Sequence, residues 1–460
     1  MVSDQYETES LCPVCLKKIP AFILTENDVA YMYKICPDHG RSTSVLWRSK
    51  IPISSWIRNK ERAFIKNPVT SVKQGCPFDC GLCEEHRQHT CTALLEVTQN
   101  CNLNCRFCFA DSHPAKEKEP SLEDLRKQYQ TVFKVSGSCN IQLSGGEPTV
   151  RDDLPDIVRM GTELGFSFIQ LNTNGIRIAD EEDYVRRLKQ SGLSSVFLQF
   201  DGISDEIYKK LRGRPLFEKK VKAIENCRKF GIGVVLVPTL VPGVNTGQIG
   251  EIIRFAIDQA PAVRGVHFQP VSYFGRMPHA PSDEDRITLP EVMEEVTKQT
   301  GGMVSAQSMK PPGCENSLCS FHGNYIIEGN VLNPVTKRES CCCGTTQAEE
   351  GAKKAKAFVA RNWTGHDCET GEQQKVSSDW DMILQKIQRN SFSISAMAFQ
   401  DAWNVNLERI KDCCIHVVTG DLRLIPFCMY HLTNTEGRSL YRNLEKGSLY
   451  EADAVRTMDP

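Results

Sequence analysis

The segment Cys101-Asn-Leu-Asn-Cys105-Arg-Phe-Cys108 places three cysteines at spacings of four and three, directly after the strand-like run Thr92–Thr98. Three thiolates hold three irons of a [4Fe–4S] cluster and leave the fourth iron open to bind a substrate or cofactor directly. Phe107, just before the third cysteine, can shield such a cluster. A zinc knuckle or a closed cluster is the plainer use of three neighbouring thiols, so the surrounding motifs matter.

Downstream, Asn140-Ile-Gln-Leu reads as a strand that runs into Ser144-Gly145-Gly146-Glu147-Pro148 and then a helix near Asp152. The two glycines let backbone approach a ligand, and backbone or Glu147 oxygens can accept from an ammonium group. An ordinary strand-to-helix turn would also account for the segment. Asn172, Thr173 and Asn174 end the next strand, and Gln199 and Asp201 the one after. Thr239, His267 and Gln269 end two more. Each of these, taken singly, suits a turn or cap as well as a ligand contact, and His267 reads best as a buried, hydrogen-bonded histidine.

Cysteine is over-represented, with 21 in 460 residues. The acidic, polar start does not read as a secretory signal, the number is odd, and Cys341, Cys342 and Cys343 are consecutive. Clustered thiols of this kind read as metal ligands rather than a disulfide framework. Cys12-Pro-Val-Cys15 and Cys36-Pro-Asp-His39 make two knuckles able to close one tetrahedral site for zinc or a single iron. A structural zinc ribbon is the reading favoured over a redox role. Cys76, Cys80 and Cys83 repeat the spacing of the central motif, and Cys91 follows as a fourth thiol. Four thiolates would saturate an auxiliary [4Fe–4S] cluster; a zinc site is the alternative. Among the late cysteines a second auxiliary cluster is expected from Cys314 or Cys319, Cys342 of the triple run, Cys414 and Cys428. Cys139 and Cys227 read as plain core residues.

These motifs sit on a regular frame. From residue 92 to about 271, six strand-like segments alternate with helices, which implies a parallel sheet with its polar motifs at the carboxyl ends of strands. Ile249, Ile252, Ile253 and Ala256 mark one apolar helix face. Past residue 290 the rhythm is lost. Ile415 to Cys428 reads as a hairpin turning at Thr-Gly-Asp, and Lys353–Lys356 as a solvated basic stretch. A net charge of −2 gives no argument for a nucleic-acid partner. The longest apolar run, residues 231–244, is too short to span a bilayer. The expected organisation is a metal-ribbon module over 1–65, an auxiliary cluster segment over 66–91, an α/β core over 92–290 and a cysteine-rich C-terminal region over 291–460.

The triad Cys101, Cys105, Phe107, Cys108 followed by Gly145-Gly146-Glu147-Pro148 resembles the radical S-adenosylmethionine (SAM) superfamily. The resemblance implies a partial (β/α)6 barrel and a [4Fe–4S] cluster that cleaves SAM reductively to a 5′-deoxyadenosyl radical. It also implies SAM contacts at Ser144 to Pro148, Asn172 to Asn174, Gln199, Asp201 and Thr239. Amides and a carboxylate there suit ribose hydroxyls. Adding Cys12 to His39, Cys76 to Cys91, and Leu424-Ile-Pro-Phe-Cys428, most of the chain resembles the archaeal tetraether lipid synthase family, also described as a 6-hydroxymethyl-dihydropterin methyltransferase family. That implies joining of lipid hydrocarbon chains through a carbon–carbon bond, or methyl transfer to a pterin or other small molecule. An iron–sulfur electron-transfer protein without catalysis is disfavoured by the intact triad. The implied partners are a low-potential electron donor, ferredoxin or flavodoxin, and a lipid or small-molecule substrate. A cytoplasmic location follows, with room for peripheral contact with a membrane surface.

Overall fold

The first four strands alternate buried and open residues, as a half-buried sheet requires. They are β1 (Val2–Leu11), β2 (Lys18–Glu26), β3 (Val29–Cys36) and β4 (Gly40–Arg48), paired antiparallel in chain order. Ala21 and Ile23 on β2 and Ala30, Met32 and Cys36 on β3 face inward. Both knuckles lie at one end of this ribbon, where Cys36 and Gly40 close the turn between β3 and β4. The computed structural model describes residues 2–114, 118–329, 331–336, 346–365 and 387–442.

The remaining strands are β5 (Lys60–Glu61), β6 (Thr92–Thr98), β7 (Asn140–Gly145), β8 (Ile169–Thr173), β9 (Ser195–Gln199), β10 (Gly233–Val237), β11 (Thr239–Leu240), β12 (Val263–Pro270), β13 (Ser320–Glu328), β14 (Val331–Pro334), β15 (Thr346–Gln347), β16 (Ser391–Met397), β17 (Ile415–Val418) and β18 (Leu424–Pro426). Strands β6 to β10 and β12 pair parallel in sequence order, with helices between them. Their interior runs, such as Val234-Val235-Leu236, are buried on both faces, as parallel strands covered by helices must be. The helices turn the apolar stripes read in the sequence toward the sheet. Ile249, Ile252, Ile253 and Ala256 of the helix Ile249–Asp258 are all inaccessible.

The last third of the chain is built onto the same sheet. Strand β16 pairs parallel with β12 and antiparallel with β13, while β17 pairs parallel with β6 and antiparallel with β18. The expected hairpin over Ile415–Cys428 is thus present as β17 and β18, but as an edge of the core. The lost rhythm past residue 290 conceals this, because the strands there arrive out of sequence order. The helix Ala348–Trp363 lies across the amino ends of the parallel strands and carries Lys354 and Lys356 to the rim of the central cavity rather than to open surface alone. Among the described residues, no helix is long and apolar enough to cross a membrane.

Candidate active site and metal centres

Side chains on a strand alternate between faces, and here one face of the sheet lines a cavity of about 930 Å³. Asn140, Gln142 and Ser144 of β7, Gln170 and Asn172 of β8, and Phe197 and Gln199 of β9 lie on it at every second position. His267 and Gln269 of β12 and Ser393, Ser395 and Met397 of β16 continue the wall. Cys101, Cys105, Phe107 and Cys108, on the loop after β6, line the end at the strands' carboxyl termini. Gly145, Gly146, Glu147, Thr173, Asn174 and Thr239 share that end.

The glycines are needed for that closeness. A Cβ on Gly145 would strike the Thr98 carbonyl and one on Gly146 the Asn100 carbonyl, both immediately before Cys101. Glu147 is 2 % exposed and acts as a pin. Its Oε1 accepts from Thr149 N–H at 3.1 Å, Thr149 Oγ1 at 2.7 Å and Thr173 Oγ1 at 2.6 Å, and its Oε2 from Asn174 N–H at 2.7 Å. Pro148 starts the 3-10 turn behind Glu147 and does not reach the cavity.

Three further findings bear on the expected contacts. Among the described residues, none offers a hydrogen bond to the buried Asn172 Oδ1, an arrangement that calls for a ligand group or water. Asp201 is inaccessible and lies off the cavity wall, so it does not touch a ligand there. It instead accepts a fork from Arg212, Nε to Oδ2 and Nη2 to Oδ1, both at 2.7 Å. Arg212 does line the cavity and contacts the Cys105 thiol. Lys220, fully buried behind this pair, donates to the Asn174 carbonyl and, at 2.8 Å, to Gln199 Oε1. Burial lowers its ammonium to about 7. Arg212 and Lys220 escaped the sequence reading because a basic residue on a helix looks like any solvated one. His267 is buried and bonded to Ser395 Oγ at 2.8 Å, as expected, and burial lowers it to about 4.

The thiols suit the implied cluster. Burial pushes the Cys101 thiol up to about 12 and raises Cys108 as well, so metal binding at this end must displace protons. Cys105 shares the same wall, which gives three sulfurs converging on one cavity with glycine backbone and an unpaired amide oxygen beside them.

The other cysteines sort into three sets. Cys12, Cys15, Cys36 and His39 bring four ligand atoms within 4.8 Å of one another, with Cys36 Sγ 3.4 Å from His39 Nδ1 and Cys15 Sγ 3.9 Å from Cys36 Sγ. That geometry fits one tetrahedral ion. Cys91 forms a buried trio with Cys314 and Cys414, again within 4.8 Å, and all three line the cavity. Cys91 is therefore not the fourth ligand beside Cys76, Cys80 and Cys83. Its N–H donates to the Cys414 carbonyl at 2.8 Å, so the β6–β17 pairing draws it across. Cys76 and Cys80 pack together in the apolar cluster that also holds Cys428, and Cys83 lies near Cys76. Cys319 and Cys428 stand apart from Cys314 and Cys414. Cys319 accepts from Arg409 Nη2 at 3.4 Å and Cys428 from Gln400 N–H at 3.3 Å. Burial, then the neighbouring Cys428, holds the Cys413 thiol high. Cys341, Cys342, Cys343 and Cys368 lie outside the described residues. Cys139 and Cys227 are buried in the main core.

Comparison with known proteins follows the same division. Residues 95–256 match the radical SAM superfamily, and residues 5–48 match the HMPTM N-terminal zinc ribbon domain. The 7,8-dihydro-6-hydroxymethylpterin dimethyltransferase of Methanocaldococcus jannaschii is 36% identical over 92% of this chain and 93% of its own length. The probable GTP 3′,8-cyclase of Archaeoglobus fulgidus is 32% identical over 37% of this chain and 56% of its own. The crystal structure of SuiB of Streptococcus suis bound to SAM superposes on 47% of this chain and 48% of its own, with 16% identity and a TM-score of 0.39. With its partial barrel, zinc ribbon and cysteine triad, this chain is a radical SAM enzyme and belongs to the family of the M. jannaschii pterin dimethyltransferase.

Proposed function

We propose that the enzyme removes hydrogen from an unactivated C–H bond of a long hydrocarbon substrate and joins the resulting carbon to another. One observation carries the reading: the cavity of about 930 Å³ runs from Cys101–Cys108 past the middle of the sheet to the Cys91 trio. Phe109, Phe274 and Phe399 line it near the cysteine loop and Phe197, Phe358 and Trp363 further in, interleaved with the polar side chains of Gln142, Gln170, His267 and Ser395. That volume is at the upper end of small-molecule sites, and apolar walls desolvate hydrocarbon without needing hydrogen bonds. When bound, the cluster and SAM supply a 5′-deoxyadenosyl radical.

The chain's own residues hold and shape the site. Glu147 fixes the Gly145–Gly146 backbone against the cysteine loop, and Asn172 offers its free oxygen to a ribose hydroxyl or ammonium. Arg212, held by the fork on Asp201, stands on the cavity wall against the Cys105 thiol. The helix Ala348–Trp363 closes the far end; a Cβ on its Gly351 would strike the Gly313 carbonyl, so the closure is tight. Joining two carbons needs two hydrogens removed and two SAM consumed. The trio of Cys91, Cys314 and Cys414 opens on the same cavity at its other end, where its thiolates would hold a further metal centre facing the substrate space. Cys76, Cys80 and Cys83, thiol neighbours of one another, would hold a second centre, and Cys12 to His39 zinc or one iron. A low-potential ferredoxin or flavodoxin supplies electrons.

A second reading keeps the chemistry and changes the substrate to a pterin. The relative's name supports it, as do the amides of Asn140, Gln142 and Gln170, with Gln142 Nε2 donating to Gln170 Oε1 at 2.7 Å, which could meet a heterocycle's edge. Phe197 and Trp363, stacked at 5.7 Å, offer a flat ring surface nearby. Anaerobic incubation with SAM and dithionite, in parallel with lipid extract and with a reduced pterin, separates them. Mass spectrometry should find coupled hydrocarbon in the first; a methylated pterin with no lipid product overturns the hydrocarbon reading.

A further inference from the structure

Where β12 leaves the sheet, residues 271–276 fold over the cavity as a strap. Val271, Ser272 and Phe274 line the cavity, and the ring of Tyr273 meets that of Phe107 edge-on at 6.0 Å. The strap is anchored to the C-terminal region: Tyr273 N–H donates to Asp401 Oδ2 at 2.9 Å and Gly275 N–H to Thr433 Oγ1 at 3.1 Å. Its end grips the cysteine loop. Arg276 and Cys108 exchange both backbone bonds, Cys108 N–H to Arg276 O at 3.0 Å and Arg276 N–H to Cys108 O at 2.9 Å. The guanidinium then donates Nε to the Cys105 carbonyl at 2.8 Å and Nη2 to the Ser112 carbonyl at 2.7 Å. Gly275 has φ +64°, and a Cβ there would strike the carbonyls of Cys108 and Phe109, so no larger residue lets the strap approach so closely.

The charges facing this loop are unequal in their freedom. Glu147 is pinned by four donors, and Arg212 is neutralised by the fork on Asp201. Among the described residues, Arg276 meets only the half-exposed carboxylate of Asp111, at 3.4 Å. A cluster's potential follows the net charge and hydrogen bonding around its sulfurs. We propose that Arg276 is a positioning residue for the SAM-cleaving cluster: its three hydrogen bonds to carbonyls of the Cys105–Ser112 loop fix the ligand geometry, and its positive charge raises the cluster's reduction potential. No substrate identity enters, so the inference stands or falls apart from the hydrocarbon reading.

The test is spectroscopic and uses the full chain, anaerobically reconstituted. The SAM-cleaving cluster is recognised among others as the electron paramagnetic resonance signal that changes on adding SAM. At a fixed solution potential near its midpoint, Arg276→Gln should lower the cluster's reduced-to-oxidised ratio, read from the size of that signal against full reduction, about tenfold, equivalent to 59 mV for one electron. Arg276→Lys keeps the charge and should recover most of that ratio, yet lose this cluster to a chelator several-fold faster, because an ammonium cannot span two carbonyls as the planar fork does. Asp111→Asn, in a left-handed conformation that Asn tolerates, should move the ratio the opposite way. Ratios unchanged in both Arg276→Gln and Asp111→Asn would overturn the charge half, and a chelation rate unchanged in Arg276→Lys the geometric half. Should Arg276→Gln fail to hold the cluster, the Asp111→Asn and Arg276→Lys results decide the two halves alone.

Discussion

The Cys91 amide donates to the Cys414 carbonyl at 2.8 Å, and the two thiols converge with that of Cys314 at the cavity wall. One residue immediately precedes β6 and the other immediately precedes β17, 323 positions later in the sequence. A metal held here is therefore a fastener between the core and the last third of the chain as well as a chemical centre. The triple variant Cys91→Ala, Cys314→Ala, Cys414→Ala should lose the metal of this set only. Elemental analysis should then show that Cys76→Ala, Cys80→Ala, Cys83→Ala removes a further, separate complement; equal and non-additive losses would mean one shared centre.

Replacing Cys101, Cys105 and Cys108 together by Ala should abolish 5′-deoxyadenosine formation while the remaining metal stays bound. Chromatography of the reaction mixture beside iron analysis checks it, and cleavage at the wild-type rate would refute the assignment.

Glu147 serves four donors from inside the protein. Glu147→Ala leaves Thr149, Thr173 and Asn174 without their acceptor, a loss expected to cost roughly 3 kcal/mol or more for a buried, charged acceptor. Glu147→Gln, which keeps one carbonyl oxygen, should cost less. Thermal unfolding and SAM titration by calorimetry should show both stability and affinity falling in that order.

Arg286 forks onto Asp401 with both distances at 2.9 Å, the carboxylate being inaccessible. Removing one partner of a buried pair typically costs about 3–5 kcal/mol because the other charge is left unpaired. Arg286→Met should therefore unfold in markedly less urea, and the double variant Arg286→Met, Asp401→Asn should regain part of the loss.

Lys220 carries a pH signature. Burial lowers it to about 7 in the folded chain, against about 10.4 when unfolded. Between those values the unfolded chain holds more protons, so this lysine makes folding stability rise with pH from about 7 toward 10; below about 7 both states are protonated and its cost is complete. The ceiling is about 1.4 kcal/mol per pH unit for one group. Lys34, buried and likewise lowered to about 7, adds the same sign. Lys220→Met should lower the slope of urea stability between pH 7 and 9 by up to about 1.4 kcal/mol per pH unit, and an unchanged slope would remove Lys220 from the account.

The parts of the fold written as local periodicity could be read directly. The six parallel strands, the apolar helix faces and the ribbon hairpin each need only neighbouring residues to declare themselves. The cysteine triad and the Gly145-Gly146-Glu147 turn were legible for the same reason, being short motifs at strand ends. What stayed hidden depends on contacts across hundreds of residues. Cys91 looked like the fourth member of a compact run, and only the β6–β17 register turns it toward Cys314 and Cys414. Asp201 looked like a ligand contact because it ends a strand, yet Arg212, eleven residues on, takes both its oxygens and faces the cavity in its place. Arg276 gave no signal at all, since its partners are main-chain carbonyls that any sequence would supply.

Both edges of the core sheet are finished by strands from the last third, β16 on one side and β17 on the other. During synthesis the core must therefore wait: until residues near Pro426 have left the ribosome, two rows of backbone donors and acceptors stand open to any passing chain. Delivery of metal faces the same timing, because Cys91 meets Cys414 only at that last step. A cell making this protein has to keep a long, thiol-rich nascent chain reduced and shielded until its final strands arrive, and truncation anywhere before them should yield aggregate rather than a smaller working enzyme.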